Sequence, residues 1–225
     1  MPLFVLATPI GNLEDVSPRA LKTLSEADVV ACEDTRRTWQ LLAHFGLRKT
    51  VVRYDNFVHR RETPRLLERL RRGERVALVT DAGTPGISDP GGRLVAEAVN
   101  ASVPVVPIPG PSSVTAALSA SGLPADEFSF LGFLPRRAGR VKKEFQRVGA
   151  DRTVVFMEST FRLKAALSAA RDVFGNVPAV IGREMTKLHE EFIRGRLDDV
   201  VLELGRRETV KGEVIVVLSP QLKET

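Results

Sequence analysis

The residues from Thr80 to Gly92, TDAGTPGISDPGG, pack four glycines, two prolines and two aspartates into thirteen positions. A connection that only redirects the chain takes about two to six residues. Glycine lets backbone approach a ligand closely and reach positive φ, and proline stiffens the surroundings, so the composition suits a rigid cradle for a small molecule. The competing reading is an ornate surface turn. Two further segments share this make-up: Thr8-Pro9-Ile10-Gly11-Asn12-Leu13, and Ile108-Pro109-Gly110-Pro111-Ser112-Ser113, whose hydroxyls stand where free N–H groups open a helix. None of the three is a P-loop, because no Gly-Lys-Ser/Thr follows, and none has the Gly-x-Gly-x-x-Gly spacing of dinucleotide folds. Nucleotide hydrolysis and nicotinamide chemistry are therefore disfavoured.

Acids, bases and phosphate clamps form a second set. In Glu33-Asp34-Thr35-Arg36-Arg37-Thr38, Asp34 and Thr35 read as helix caps, whereas Glu33 can accept a hydroxyl proton and Arg36 can hold a phosphate through two parallel hydrogen bonds. Phe156-Met157-Glu158-Ser159-Thr160, Arg183-Glu184-Met185-Thr186-Lys187 and Lys211-Gly212-Glu213 also put charge at strand boundaries, where each alone reads as a solvated end. The one cysteine, Cys32, excludes an internal disulfide and any multi-cysteine metal site, and His44, His59 and His189 are too scattered to suggest a metal centre.

The elements that must position these groups follow from hydrophobic period. Short β-branched runs alternate with helical stretches, the pattern of an α/β protein with mainly parallel strands. Strands are predicted at Leu3–Ala7, Val29–Ala31, Val51–Tyr54, Val76–Thr80 and Val103–Ile108, so all three glycine-proline loops leave strand ends. Ser17-Pro18 opens a helix, and Gly73 closes another that carries Leu66, Leu67 and Leu70. After Gly122-Leu123-Pro124 the texture resets to an aromatic strand (Phe128–Leu134), a basic helix, strand Thr153–Met157 and helix Phe161–Phe174. Strands Ala179–Gly182, Glu191–Arg194 and Glu213–Leu218 follow, with helix Leu197–Leu204 between the last two. The reading is two α/β lobes, residues 1–121 and 122–225.

The 225 residues are 43% hydrophobic and 27% charged, enough for a real core. No apolar run approaches the roughly 18 residues of a membrane span, and Leu3–Leu6 is too short for a signal segment, so a cytoplasmic protein is expected. The formal charge of +5, from 33 basic and 28 acidic residues, is unevenly placed. Seven basic residues between Arg136 and Arg152 (Arg136, Arg137, Arg140, Lys142, Lys143, Arg147, Arg152) face only Glu144 and Asp151; Arg60–Arg75 holds seven more against Glu62, Glu68 and Glu74. Such stretches are solvated helix faces or anion-binding surfaces.

Taken in order, ATPIGNLED, ACEDTRRT, TDAGTPGISDPG, PGPSSVTAALSASGLP, FLGFLP, FMESTFRL, REMTKLHEE and KGE resemble the class III, tetrapyrrole-methylase-like S-adenosylmethionine (SAM) methyltransferases. More narrowly they resemble the family of small-subunit ribosomal RNA 2′-O-methyltransferase I, over nearly the full chain. The resemblance implies two α/β lobes with the cofactor cleft between them, SAM as cofactor, no metal, and 2′-O-methylation of a cytidine ribose in the decoding region. It places Pro9, Gly11, Asp81, Ala82, Gly83, Ile87, Ser88, Ser112 and Ser113 on the cofactor side. From the second lobe it adds Phe156, Glu158, Ser159, Arg183, Glu184, Lys211, Gly212 and Glu213, and it turns Glu33, Asp34 and Arg36 toward RNA. Members of the family commonly carry a further small helical segment beyond the position of Thr225.

A ribose hydroxyl is a very weak acid, so a base is expected near the transferred methyl. Glu33, Glu184 and Lys211 all qualify, with Arg36 on the adjacent phosphate. Arg136, Arg137, Arg140, Lys142 and Lys143 are expected to grip small-subunit rRNA or the assembled 30S subunit, with Arg60–Arg75 helping, in a homodimer. The alternatives are the same fold acting on a tetrapyrrole-like or diphthamide-type substrate, and a non-catalytic RNA-binding assembly protein.

Overall fold

The computed structural model describes residues 1–222, which divide into two compact units, Met1–Ser112 and a second that begins at Ser113. In the first, β1 (Leu3–Leu6), β2 (Val29–Cys32), β3 (Thr50–Arg53), β4 (Val76–Leu78) and β5 (Val105–Ile108) form a parallel sheet in the order β3-β2-β4-β1-β5. Helices α1 (Pro18–Glu26), α2 (Thr35–His44), α3 (His59–Arg71) and α4 (Gly91–Asn100) connect the strands. Strands covered on both faces must be apolar throughout, and β2 and β4 are buried at every position.

Alternation along the strands assigns the faces. Leu3, Val29, Ala31, Val76 and Leu78 pack with Leu66 and Leu70 of α3 and Leu94 and Ala98 of α4. Leu6, Val30, Cys32 and Ala77 pack on the other side with Ala20 and Leu24 of α1 and Leu42 of α2. The chain therefore leaves β1 toward one face and leaves the adjacent β4 toward the opposite face. Ser17 caps α1 as its position implies, its Oγ accepting from the Ala20 N–H at 3.1 Å.

The second unit contains α5 (Ser113–Ser121), β6 (Phe128–Phe133), α6 (Ala138–Val148), β7 (Thr153–Ser159), α7 (Thr160–Phe174), β8 (Pro178–Arg183), β9 (Glu191–Arg196), α8 (Leu197–Gly205) and β10 (Glu213–Leu218). The sheet order is β6-β7-β10-β8-β9, and only β6 and β7 pair in parallel. The mainly parallel arrangement expected from the sequence thus holds for the first sheet and not for the second. A parallel pair needs a crossover of about a dozen residues or more, which the short 184–190 connection between β8 and β9 cannot supply. The core is built on Phe145, Phe156 and Phe174, with ring centroids 5.4 to 5.5 Å apart.

Helix α5 packs on β10, so the division between units falls earlier than the 121/122 break expected from sequence. Gly122, at φ +74°, ends that helix and does not mark a linker. Strands β6, β7 and β8 all end at one edge of their sheet, where α6 and α7 begin and where the 206–212 connection returns from α8.

Candidate active site

Because β1 and β4 send their connections to opposite faces, the edge outside their carboxyl ends is a topological switch point, where open α/β sheets form the crevice that binds ligands. The three glycine-proline loops line it and are laced together. The Thr8 N–H donates to Gly83 O at 2.9 Å and the Gly83 N–H returns a bond to Thr8 O at 3.0 Å. Thr8 Oγ1 donates to Thr80 O at 3.0 Å, and Thr84 Oγ1 donates to Pro111 O at 3.3 Å. A Cβ on Gly110 would stand 3.1 Å from that of Ala7, so glycine is what lets the third loop lie against the first.

Asp89 organises the rest of the long loop. Its carboxylate accepts the N–H of Gly86 at 2.7 Å and of Gly91 at 2.6 Å, and a Cβ on Gly91 would sit 2.8 Å from its Oδ1. Neighbouring Ser88 is held at φ +64°, unusual for a residue with a side chain. Pro9 and Gly83 are buried, Asp81 and Ser112 half-buried, and Gly11, Ala82, Ile87 and Ser88 exposed. These residues share one edge of the sheet, whereas Ser113 opens α5 in the second unit, its Oγ 4.0 Å from Met157 Sδ.

The end of β2 adds charge to this edge. Asp81 Oδ1 accepts the Asp34 N–H at 3.1 Å, and its other oxygen lies 3.6 Å from Arg37 Nε. Asp34 caps α2, accepting from the Arg36 N–H at 2.8 Å, and also pairs with the Arg36 guanidinium at 3.0 Å. Glu33 is half-buried, and burial, reinforced by Asp81, Asp89 and Asp55, pushes its carboxyl above the ordinary range. Cys32, fully buried in the core, has its thiol pushed up to about 11 by burial and is inert.

In the second unit the charged strand ends are mostly committed to one another. Glu184, at φ +49°, accepts the Glu213 N–H at 2.8 Å and Lys187 Nζ at 2.9 Å, and these two contacts hold its carboxyl below the usual value. Gly212, at φ +105°, lies against it. Glu191 binds Arg207 at 2.6 Å and Arg183 at 2.9 Å; Arg207 first, and Arg183 after it, bring its carboxyl down to about 2. Arg183 also donates to Lys211 O at 3.0 Å. The Phe156 ring belongs to the core. The Glu158 side chain is buried and pairs with Arg162, whose Nη2 continues to Leu134 O at 2.7 Å. Ser159 Oγ donates to the same carboxylate at 3.3 Å. Lys211 is exposed.

The basic stretches differ. On α6, Val141 and Phe145 face the core while Arg140, Lys142 and Lys143, like Arg136 and Arg137 just before the helix, are exposed. Lys142 pairs with Asp172 at 2.6 Å, Arg147 with Glu144 and Arg152 with Asp151, both at 2.7 Å. Arg136, Arg137, Arg140 and Lys143 have no ion-pair partner among the described residues. Along α3, in contrast, Glu62, Glu68, Glu74 and Glu26 pair with Arg61, Arg65, Arg69, Arg71, Arg72 and Arg75, which leaves Arg60.

Sequence reasoning missed Asp89, Gly110 and Arg162 as organisers. The Asp-Pro-Gly-Gly run signals an aspartate-capped turn, but nothing local signals the reach of Arg162 to Leu134. Among the described residues no group of three or more His, Cys, Asp or Glu is arranged to hold a metal, and no helix is long and apolar enough to cross a membrane.

Comparison with known proteins accounts for this arrangement. Residues 2–201 match the family model of tetrapyrrole (corrin/porphyrin) methylases. A Mesorhizobium japonicum protein named ribosomal RNA small subunit methyltransferase I is 46% identical over 97% of this chain and 75% of its own length. A Hydrogenobaculum protein of the same name is 41% identical over 98% of this chain and 96% of its own. Among solved structures, a cobalt precorrin-4 methyltransferase (TM-score 0.70, 18% identity, 99% of this chain and 96% of that one) and a diphthine synthase (0.72, 20%, 97% and 90%) share the fold. The chain belongs to the tetrapyrrole methylase family and, within it, to the group of ribosomal RNA small subunit methyltransferase I proteins.

Proposed function

We propose that the chain transfers a methyl group from SAM to the 2′-hydroxyl of a cytidine ribose in the decoding region of small-subunit rRNA. The observation that carries this reading is the 46% identity, over 97% of the chain, to a relative named for that class of reaction. The crevice beside Thr8, Gly83 and Gly110 supports a cofactor of this kind. Its glycines let the loops pack tightly, since a Cβ would press on Ala7 at Gly110 and on Asp89 at Gly91, and Asp81 sets a carboxylate at its edge. SAM supplies a methyl already activated on a sulfonium, so the protein's tasks are alignment and removal of one proton.

Of the three candidate bases, Glu33 has the properties the task needs. Its raised pKa makes it a stronger base than an ordinary carboxylate, and it lies at the crevice edge. Glu184 is a weaker base, because a backbone N–H and Lys187 already stabilise its charge; it serves as a positioning residue that fixes the 211–213 turn. Lys211 is exposed on the 211–213 turn. Glu33 would accept the proton of the ribose hydroxyl as the methyl leaves sulfur for oxygen, and Arg36 would hold the neighbouring phosphate. Arg136, Arg137, Arg140 and Lys143, without an ion-pair partner among the described residues, are available for rRNA phosphates, a role the neutralised α3 arginines do not share.

The test is transfer of labelled methyl from SAM to 30S subunits, free rRNA and tetrapyrrole precursors, with the modified nucleoside located by mass spectrometry. Label on a cytidine 2′-oxygen is expected. Label on precursors alone, or no transfer with intact SAM binding, overturns the reading.

A further inference from the structure

Phe161, the second residue of α7, is 98% exposed, and Phe133, the last residue of β6, is 64% exposed. Neither is loosely held. Arg162, next to Phe161, is anchored by the buried Glu158 and donates to Leu134 O, next to Phe133, at 2.7 Å. The bulge between Phe130 and Phe133, with Gly132 at φ +61°, turns Phe133 outward while Leu134 stays buried. Behind Phe161 lies a cavity of about 210 Å³ whose apolar wall comes from Leu163, Leu204 and Val210, with Lys164 at its side. Pockets that enclose drug-sized ligands run to about 300–1,000 Å³, so this one suits a single planar ring.

We propose that Phe161 and its cavity receive one unpaired nucleobase of the RNA substrate. Phe133 offers a second stacking face, and Lys164, with Arg136, Arg137, Arg140 and Lys143, which have no ion-pair partner among the described residues, holds the intervening phosphates. The inference rests on the reading of the chain as an rRNA methyltransferase and deepens it, assigning single-stranded RNA as the form recognised. Aromatic faces interleaved with cations at the edge where β6 and β7 end are what single-strand recognition requires, because every base has a π-face and every linkage a charge. A second copy of the chain is the poorer occupant: a two-fold contact through this patch would bring Arg136, Arg137, Arg140 and Lys143 against their own copies.

The test is fluorescence anisotropy with a short unpaired RNA oligonucleotide over a salt series. Phe161→Ala should weaken binding about tenfold or more, Phe161→Trp should restore it, and Phe161→Leu should not. The slope of log affinity against log salt should be unchanged, since an uncharged contact releases no counterion. Affinity within twofold of the unsubstituted protein overturns the inference. So does a Phe161→Ala variant that loses self-association by sedimentation but keeps its RNA affinity. If the unsubstituted protein neither binds nor methylates RNA, the functional reading falls as well.

Discussion

Replacing Gly212 by alanine tests the architecture around the 211–213 turn. The residue sits at φ +105°, where a side chain costs about 1–2 kcal/mol. The new Cβ would lie 2.5 Å from Cγ, Cδ and Oε1 of Glu184. Glu184 must then swing away from the Glu213 N–H and Lys187, contacts of 2.8 and 2.9 Å. Bonds to charged groups contribute about 1.5–3 kcal/mol each; partial solvent exposure reduces the pair to about 1–2 kcal/mol. The sum, about 2–4 kcal/mol, lowers Tm by roughly 5–15 °C. Circular dichroism melts of Gly212→Ala, Glu184→Ala and the double variant separate the two parts. With Glu184 truncated the clash is gone, so the Gly212→Ala cost should fall to the backbone share, a coupling of about 1–2 kcal/mol. Because the folded pKa of Glu184 is depressed, its contribution is present above the ordinary carboxylate pKa and fades as pH falls through the folded value. The coupling should fade with it. Equal Gly212→Ala costs in both backgrounds at neutral pH would refute the reasoning.

Arg162→Met leaves the buried Glu158 carboxylate unpaired and should cost about 3–5 kcal/mol in denaturant titration, with much of the loss recovered when Glu158→Gln is added. Glu33→Gln should abolish methyl transfer while SAM titrations remain unchanged. The acidic limb of the wild-type rate profile should lie above the ordinary carboxylate range, because the base must be ionised and its pKa is raised by burial and then by Asp81. The same substitution should raise Tm at neutral pH, since a carboxyl with an elevated folded pKa destabilises the fold once ionised. Changing Arg136, Arg137, Arg140 and Lys143 together to Gln should reduce the salt slope of RNA binding by about 3, near 0.7 per cation for a single strand; Arg69→Gln with Arg72→Gln should leave it unaltered.

Much of this was legible in the chain itself because it depends on short-range chemistry. Ser17-Pro18 announces the start of α1, the Val29–Ala31 run announces a buried strand, and the glycine-proline density of 80–92 announces a long, built loop at a strand end. Eight motifs in order carried the family. Local pattern could not decide strand direction in the second sheet, where β10 inserts between β7 and β8, because pairing partners lie far apart in sequence. Nor could it separate the settings of Glu33 and Glu184: both are glutamates at strand ends, yet burial, then Asp81, raises the pKa of the first, and the Glu213 N–H, then Lys187, lowers that of the second. The same holds for charge. The 60–75 and 136–152 stretches each carry seven basic residues, yet Glu26 reaches Arg75 in the first while four cations of the second have no ion-pair partner among the described residues. Residue types and short-range order determined the fold class and the chemistry on offer. Which carboxylate is strained, which cation is free and which aromatic ring meets solvent were decided by the tertiary structure, because electrostatics and burial depend on what lies nearby in space.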